Sequence, residues 1–463
     1  METECDAPAV FRSLLGLPHP VWLDSARTHP EIGARSIVAA DPFLVFHADG
    51  DGWHARGEGC ADGDGNPWDA FARLLATRVF PGAGDEGAMR PPLAIGFFGY
   101  ESGRWLDRSP SPRPPPIAAP DLWFGFYDAA IFFDHAARRA WIAADPARAD
   151  RGSRRRAAAL RERIAGGAPS VAREGPFAGR LATRMPRATH ARAVRLALDR
   201  IRRGDLYQVN LTRAYSGTLD ASPADVYLRL RRVNPAPFAG YLDCGEIHVL
   251  SSSPECFLSL EGSLAQTRPI KGTRPRTGDE FADRRRAAEL ESSAKDRAEL
   301  LMITDLLRND LGRIAEIGSV RVPRLASMEE YETVFHLVST IEARLRGGAT
   351  HLDAIRAAFP GGSITGAPKL QAMQLIAELE PCGRGPYTGS MGWFGAGGRS
   401  DFNILIRTVV MREGAATFHV GGGIVADSTP EAEYAETLSK AEGLLRLWRD
   451  RPEEGSTRGR VPP

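Results

Sequence analysis

Short runs of β-branched and aromatic residues, separated by glycine and proline, recur along this chain and predict a β-rich protein. Four such runs lie in its first third, at residues 21–26, 36–46, 93–100 and 122–134. In the second half, residues 387–395 and 401–410 predict two antiparallel strands around a Gly-Gly turn. Helical patterns fill much of the remaining sequence, so a fold of sheets and helices together is expected.

The composition is that of an ordinary globular protein. The 463 residues are 43% hydrophobic and 25% charged, with a net charge of +1, so no global field favours nucleic acid or a membrane. The five scattered cysteines include no CxxC pair, which favours reduced thiols over a zinc site or disulfides. No secretory leader and no long apolar run occurs, and a cytoplasmic location is therefore expected.

Composition also divides the chain into regions. We expect an N-terminal β-rich region at 1–150, a linker or helix at 151–185, a catalytic region at 186–450 and a disordered tail at 451–463. The length suits one large domain or two intertwined ones, and we expect the two halves to be intertwined in one fold.

A basic segment at 268–276, RPIKGTRPR, holds the candidate catalytic lysine, Lys271. Its three arginines cannot pair with one another and require anions or carboxylates from elsewhere. Cationic neighbours and desolvation would favour the neutral, nucleophilic form of the lysine. Gly272 would let the backbone approach a ligand. The alternative is a solvated basic turn.

Two other segments of the second half carry candidate residues on strands. Polar and apolar residues alternate at 207–212, so that Gln208 lies on a polar face that meets either solvent or a site. Residues 246–262 predict a strand, a turn and a strand, with Glu255 at the end of the turn. The following return strand would bring Glu255 near Lys271, although a glutamate after proline is otherwise a plain turn residue.

Two helices carry acidic residues. An S-A-K-D capping box predicts a helix from Ser293 to about residue 314, with Glu299 in an otherwise apolar stretch. Buried glutamates are rare unless they are paired or bind metal. The last helix starts at Ser428 or Thr429. One of its faces carries Glu433, Glu436 and Lys440. The alternative for that face is a salt-bridged surface.

Two glycine-rich segments fall short of nucleotide-binding motifs. Gly361 and Gly366 have P-loop spacing, but Ala367 stands where a lysine is required. Residues 421–423 are not followed by a βαβ unit. The amides at 365–367, expected to open a helix, and those at 421–423 remain candidates for binding a carboxylate or a phosphate.

Two isolated residues complete the candidates. Arg407 follows an apolar run and is expected to be buried with a partner anion. His336 lies on a predicted strand at 334–340, where a lone histidine is more often a core residue than a catalyst.

Eight segments occur in the order found in one enzyme family. They are GDLYQVNLTR, SSSPE, RPIKGTRPR, AKDRAELLMITDLLRNDLGR, FPGGSITGAPK, YTGSMGW, GGGIVADS and EYAETLSKA. Across about residues 205–447 the chain thereby resembles the chorismate-utilising enzymes: anthranilate synthase component I, aminodeoxychorismate synthase component I, and the isochorismate and salicylate synthases. The resemblance implies an α+β fold of antiparallel sheets packed as a sandwich with helices outside.

Two positions discriminate between the branches of this family. The isochorismate and salicylate branch has a water-activating lysine where this chain has Gln208. Anthranilate synthases usually have alanine where this chain has Lys271, and a lysine there marks the aminodeoxychorismate branch. The resemblance therefore implies conversion of chorismate and ammonia to 4-amino-4-deoxychorismate, the folate-branch precursor of 4-aminobenzoate. The alternatives are anthranilate synthase component I and a non-catalytic regulatory subunit that binds chorismate or tryptophan.

The resemblance also implies roles for individual residues. Lys271 would be the covalent nucleophile, Glu255 a general acid of raised pKa and later a base, and His336 an orienting residue. Mg²⁺ would be bound by Glu299 and Glu436, with Glu433 and Asp296 acting through water. The implied substrate contacts are Gln208, Thr365, Gly366, Tyr387, Arg407, Gly421, Gly422, Gly423 and Lys440.

The resemblance further implies partners. No cysteine, histidine and glutamate set of a glutamine amidotransferase is recognisable, so a separate glutaminase subunit would deliver ammonia. A separate aminodeoxychorismate lyase would aromatise the product. Leu300 stands where many relatives have histidine after the metal glutamate, which leaves Glu299 in place.

Overall fold

The chain forms two large antiparallel sheets with helices packed on their outer faces. The structure, a computed structural model, describes residues 6–26, 33–50, 52–80, 89–106, 113–167, 173–331 and 334–449. The predicted tail at 451–463 lies outside these residues. The helices are α1 (Ala7–Leu14), α2 (Pro67–Arg78), α3 (Ser153–Ala165), α4 (Arg187–Arg202), α5 (Pro223–Val233), α6 (Glu280–Ser292), α7 (Ala294–Gly312), α8 (His351–Ala358), α9 (Gly362–Thr365), α10 (Lys369–Leu379) and α11 (Pro430–Leu445).

The strands come from both halves of the chain. They are β1 (Val21–Asp24), β2 (Arg35–Ala39), β3 (Leu44–Asp49), β4 (Gly52–Gly57), β5 (Ala61–Asp64), β6 (Leu93–Phe98), β7 (Leu122–Tyr127), β8 (Ala129–Asp134), β9 (Arg139–Ala144), β10 (Leu181–Thr183), β11 (Gln208–Thr218), β12 (Phe238–Asp243), β13 (His248–Ser253), β14 (Cys256–Glu261), β15 (Leu264–Arg268), β16 (Ile270–Pro275), β17 (Arg321–Glu330), β18 (Val334–Arg344), β19 (Gly366–Ala367), β20 (Ser390–Gly395), β21 (Arg399–Asn403), β22 (Thr408–Arg412) and β23 (Ala415–Ile424).

Each sheet joins strands from the two halves. The first sheet has the order β10-β11-β23-β22-β13-β12-β1-β2-β8-β9, with β19 also paired to β11. The second has the order β16-β18-β15-β14-β21-β20-β6-β7-β3-β4-β5, with β17 also paired to β18. The pairings β1–β12 and β6–β20 cross the predicted boundary between the halves. The boundaries at 150 and 185 stay a prediction.

The core between the sheets explains why the apolar runs are nearly continuous. Along β1, Val21 faces the second sheet while Trp22 packs under the helices outside the first. Along β6, Ile95 faces the first sheet and Phe98 packs under the helices outside the second. Because both faces of these strands are buried, apolar residues occupy successive positions. The predicted α+β sandwich with outer helices is confirmed.

One strand prediction was wrong in an informative way. Residues 401–410, predicted as one strand, form β21 in the second sheet and β22 in the first. The chain bends between them at Arg407, whose φ of 52° ends the extended conformation. The neighbouring β13 and β14 make the same crossing at Glu255. Two adjacent strand pairs therefore pass from sheet to sheet together, and this corner lies at the candidate site.

No helix among the described residues combines the length and the mean hydropathy that a bilayer crossing requires.

Candidate active site

The corner between the sheets holds Glu255 in a buried, hydrogen-bonded position. The backbone carbonyl of Glu255 accepts a bond from the Ile404 amide at 3.1 Å, which joins the two crossings. Ser363 and the Ile270 amide lie close enough to the Glu255 carboxyl to favour its ionised form. Burial raises the pKa of the Glu255 carboxyl, although Ser363 and Lys271 oppose the rise. The direction agrees with the pKa that the proposed general acid requires.

Lys271 lies on β16, opposite Leu337 of β18. Burial lowers the pKa of the Lys271 amine, and the positive charge of Lys440 lowers it further. The carboxylates of Glu299, Glu255 and Glu436 act in the opposite direction, which places all of them within electrostatic range of the amine. The structure thus brings the predicted lysine, acid and metal glutamates together.

The three arginines of the basic segment are not the cations that act on Lys271. Each is held by carboxylates of neighbouring elements. The pairs are Arg268 with Glu329, Arg274 with Glu289 and Asp296, and Arg276 with Glu330 and Asp283. The expectation that these arginines would depress the lysine pKa was wrong, because their charges are compensated locally.

Gly272 serves the packing of β16. Its φ is +69°, and a Cβ there would lie 2.8 Å from Leu290 Cδ1 and 3.0 Å from Asp296 Cβ. The glycine lets β16 lie directly against the start of α7, which carries Glu299.

The acidic residues of α11 meet the glycines of β23. A Cβ on Gly422 would lie 2.8 Å from Glu436 Oε1 and 3.2 Å from Glu433 Oε2, so the glycine leaves room for both carboxylates. Ser428 donates a hydrogen bond to Glu433 Oε1 at 2.6 Å, and Thr429, not Ser428, caps the helix. The buried Glu433 Oε2 has no hydrogen-bond partner among the described residues.

The protonation of these carboxylates follows from their surroundings. Burial, and less strongly the charge of Glu436, raises the pKa of Glu433. Burial likewise raises the pKa of Glu299. At Glu436 partial burial opposes ionisation, but Lys440, 2.7 Å from its Oε1, leaves the pKa lowered.

These carboxylates fit one kind of metal site and not another. Among the described residues, no group of three or more His, Cys, Asp or Glu side chains is arranged to hold a metal ion. An all-protein cage is thereby excluded for this part of the chain. The unpartnered Glu433 oxygen, which lies with Glu436 against Gly422, fits Mg²⁺, which takes one or two protein carboxylates and completes its shell with water and substrate oxygens. Asp296 differs, because its carboxylate contacts Arg274 at 3.2 Å.

The polar face of β11 is buried, which excludes the solvent alternative. Gln208, Asn210 and Thr212 all lie in the interior. Asn210 donates a hydrogen bond to the Ser363 carbonyl at 2.8 Å. Neither polar atom of the Gln208 amide has a partner among the described residues. A Cβ on Gly423 would lie 2.2 Å from Gln208 Nε2, so this glycine is needed beside the amide.

The glycines of β23 lie where one neighbouring strand ends. β22 pairs with β23 only from Ala415 to Phe418, and beyond that point the described pairing of β23 is with β11. The carbonyl of Gly421 accepts a hydrogen bond from Lys440 Nζ at 2.8 Å. This open strand edge and the lysine lie beside Glu436.

Arg407 has no anionic partner within the described chain. Its guanidinium donates to the neutral Asn234 Oδ1 at 2.8 Å, and burial alone lowers its pKa. The expected partner anion was therefore wrong for the protein by itself. A half-buried guanidinium without a counter-charge is suited to an incoming carboxylate.

Tyr387 is buried, and its ring stacks on His419 with centroids 5.0 Å apart. Burial raises the pKa of the phenol, so it remains protonated.

Thr365 and Gly366 do not open a helix. Thr365 ends the four-residue α9, and Gly366 and Ala367 pair with Val209 and Gln208 of β11. The next helix, α10, begins only at Lys369. The prediction of a helix N-terminus here was wrong, because this loop is fixed against a strand.

His336 contacts β16, the strand of Lys271, at Thr273. Its Nδ1 lies 2.9 Å from Thr273 Oγ1, and its ring meets Tyr331 edge-on. Thr273 is two residues beyond Lys271 on β16, so the structure links His336 to the lysine through that strand.

Sequence reasoning missed a buried ion pair behind the site. Glu380 directly follows α10 and Arg384 lies in the loop before Tyr387, with their side chains 2.7 Å apart. Their spacing of four was a possible signal, but Pro381 between them breaks the helical pattern in which such a pair would be sought.

Comparison with known proteins agrees with this arrangement. A family model described as chorismate binding enzyme matches residues 18–446. Aminodeoxychorismate synthase component 1 of Salmonella typhimurium is 43% identical over 367 residues, covering 76% of each chain. Anthranilate synthase component 1 of Thermus thermophilus is 42% identical over 362 residues, covering 77% of this chain and 78% of that protein. The crystal structure of anthranilate synthase component I from Streptococcus pneumoniae has a TM-score of 0.79 at 29% identity, covering 90% of this chain and 92% of that one.

Proposed function

Since this chain belongs to the family of chorismate binding enzymes, we propose that it is the component that converts chorismate and ammonia to 4-amino-4-deoxychorismate. The observation that carries the proposal is the amine of Lys271, which is partly buried and lies within electrostatic range of Glu255, Glu299, Glu436 and Lys440. Relatives of nearly equal identity carry the aminodeoxychorismate and the anthranilate names, so the choice rests on this residue.

The proposed chemistry uses Lys271 and Glu255 in turn. The Lys271 nitrogen bonds to C2 of chorismate, the two ring double bonds shift, and the C4–O bond breaks. Glu255 supplies the proton with which the hydroxyl leaves as water. Ammonia then bonds to C4, the double bonds shift back, and the C2–N bond to Lys271 breaks. Glu255 takes up a proton from the incoming ammonia.

The lowered pKa of Lys271 matters for the first of these steps. A lysine with an ordinary pKa of about 10.4 is about one part in a thousand neutral near pH 7, a handicap of about 4 kcal/mol. Burial and Lys440 reduce that handicap.

Charged groups around the lysine would bind the two carboxylates of the substrate. Glu299 and Glu436, with Glu433 beside them, would hold Mg²⁺, which would neutralise one carboxylate. Arg407, whose contact within the chain is the neutral Asn234, would bind the other. Lys440 and the amides at 421–423 lie on the side of Glu436.

The proposed reaction also requires partners. Relatives named component 1 imply an enzyme of more than one component. A separate glutaminase subunit would supply the ammonia, and an aminodeoxychorismate lyase would convert the product. We place the reaction in the cytoplasm.

The product assay tests the proposal. Chorismate, Mg²⁺ and an ammonium salt should yield 4-aminobenzoate only when an aminodeoxychorismate lyase is added. Anthranilate fluorescence without the lyase would assign the chain to the anthranilate branch instead. Lys271→Ala should abolish or divert the product, and unchanged turnover in that variant would exclude the covalent route.

A further inference from the structure

The buried pair of Glu380 and Arg384 is connected far beyond its own two residues. Arg384 contacts both Glu380 oxygens, with Nε at 2.9 Å and Nη2 at 2.7 Å. The Arg384 side chain is 1% exposed and that of Glu380 is 5% exposed. Such a pair in the interior requires further hydrogen bonds to offset the desolvation of both charges.

Those further bonds go to three segments that carry predicted substrate contacts. Arg384 donates to the Asn210 carbonyl at 2.9 Å and to the Ile364 carbonyl at 3.0 Å. It also donates to the Thr388 hydroxyl at 3.2 Å. Glu380 accepts from the amide and the hydroxyl of Thr212 at 2.8 and 2.9 Å. The pair therefore joins the strand of Gln208, the loop of Thr365 and the loop of Tyr387.

The opposite side of the same pair is held by the N-terminal half. The ring of Tyr100 lies 4.7 Å from the Arg384 guanidinium. Glu101 accepts a hydrogen bond from the Arg384 amide at 2.7 Å. Arg113 donates to the Glu380 carbonyl at 2.6 Å. Both halves of the chain thus converge on these two residues.

We propose that the Glu380–Arg384 pair positions the three segments that carry Gln208, Thr365 and Tyr387 for chorismate binding, so that loss of the pair weakens substrate binding beyond any loss of stability. The inference rests on the proposed function, since chorismate is the ligand of that function. Neither side chain is placed to touch substrate, and both act through the segments they join. These are positioning residues.

The hydrogen-bond geometry of Arg384 explains why lysine or an uncharged residue could not replace it. One planar guanidinium reaches a carboxylate, two carbonyls and a hydroxyl at once. A lysine offers a single point charge and cannot satisfy that fork of acceptors. Removing the arginine altogether leaves the Glu380 carboxylate buried without its counter-charge, which displaces it and the segments bonded to it.

The test compares variants by direct titration of chorismate into the full-length protein with Mg²⁺ present. Arg384→Lys should weaken chorismate binding and Arg384→Met should weaken it further, the latter by about tenfold or more, since displacements of about 1 Å have large effects on bound geometry. Arg156→Met is the control, because Arg156 also forms a buried bidentate pair, with Asp128, whose two hydrogen bonds are 2.7 and 2.6 Å long. That pair lies between α3 and the start of β8, and Arg148 remains 3.3 Å from Asp128 in the variant. It should lower Tm while changing the Kd for chorismate less than about twofold.

The outcomes separate the two proposals. If the wild-type protein does not bind chorismate, the proposed function fails. If the wild type binds and Arg384→Lys binds equally well, the positioning role is refuted. If Arg384→Met does not fold, the Kd of Arg384→Lys for chorismate, measured at a temperature below the Tm of that variant, tests the positioning role. If Arg156→Met weakens chorismate binding as much as Arg384→Met does, the loss of affinity follows from lower stability in general, and the inference is overturned.

Discussion

At the scale of single residues, the site depends on which charges remain uncompensated. The arginines near Lys271 are neutralised by carboxylates of their own, so they contribute packing rather than electrostatic activation. Lys440 lowers the pKa of the Lys271 amine, although Glu436 Oε1 lies 2.7 Å from Lys440 Nζ. The Arg407 guanidinium donates a hydrogen bond to the neutral side-chain amide of Asn234. Glu433 has one buried oxygen without a hydrogen-bond partner among the described residues. Binding capacity lies where the protein leaves polar groups unsatisfied.

Replacement of Lys440 tests the electrostatic control of Lys271. Lys440→Met removes a positive charge that lowers the pKa of Lys271, so that pKa should rise and the amine should need a higher pH to become neutral. The measurement is the rate of acetylation of Lys271 by acetic anhydride against pH, followed by mass spectrometry. Lys440→Arg keeps the charge and should keep the profile. If the pH profile of Lys440→Met is identical to that of the wild type, Lys440 does not lower the pKa of Lys271.

At the scale of elements, the site exists because strands and helices approach closely at glycines. β16 lies against α7 at Gly272, and β23 lies against α11 at Gly422. The first contact brings Lys271 near Glu299, and the second places the glycines of β23 against Glu433 and Glu436, although the linear sequence separates these groups. The close packing of β16 on α7 and of β23 on α11 therefore determines how near the charged side chains of the site lie to one another.

A pair of glycine variants tests the contact between β16 and α7. Gly272→Ala and Gly262→Ala both place alanine at positive φ, which costs about 1–2 kcal/mol in each case. Only the Cβ at Gly272 would collide with α7, whereas the Cβ at Gly262 meets nothing within 4 Å. Gly272→Ala should therefore lose up to about 10²-fold in kcat/KM for chorismate through displacement of Lys271. Similar activities at matched stability would contradict this contact.

At the scale of the whole molecule, the two halves share both sheets and one core. Ile95 of the N-terminal half is fully buried in the layer between the sheets and lies opposite Trp393 of the C-terminal half. The corner that carries Glu255 and Arg407 is built from strand pairs in the middle of these same sheets. Stability of the N-terminal half and integrity of the site are thus coupled.

A core variant in the N-terminal half tests this coupling. Ile95→Ala should cost about 2–5 kcal/mol, as large-to-small changes in packed cores do. Thermal unfolding followed by circular dichroism and by loss of activity should shift together. Ile317→Ala, at a fully exposed residue, should change the free energy of unfolding by less than about 0.5 kcal/mol. Two separated transitions in Ile95→Ala would indicate independently folding halves.

The sequence alone determined the fold class, the family and the residue types of the chemistry, because these depend on local patterns. Strand periodicity, the Ser293 cap and each of the eight segments are patterns of residues close together in the sequence. The two residues that discriminate between the branches, Gln208 and Lys271, are also read directly from the sequence. Only the tertiary structure decided how those residues are used. It gave the arginines carboxylate partners, divided residues 401–410 between two sheets, fixed the Thr365 loop against a strand and built the Glu380–Arg384 pair. The physical reason is that charge compensation and close approach depend on neighbours distant in the chain, which periodicity and spacing cannot reveal.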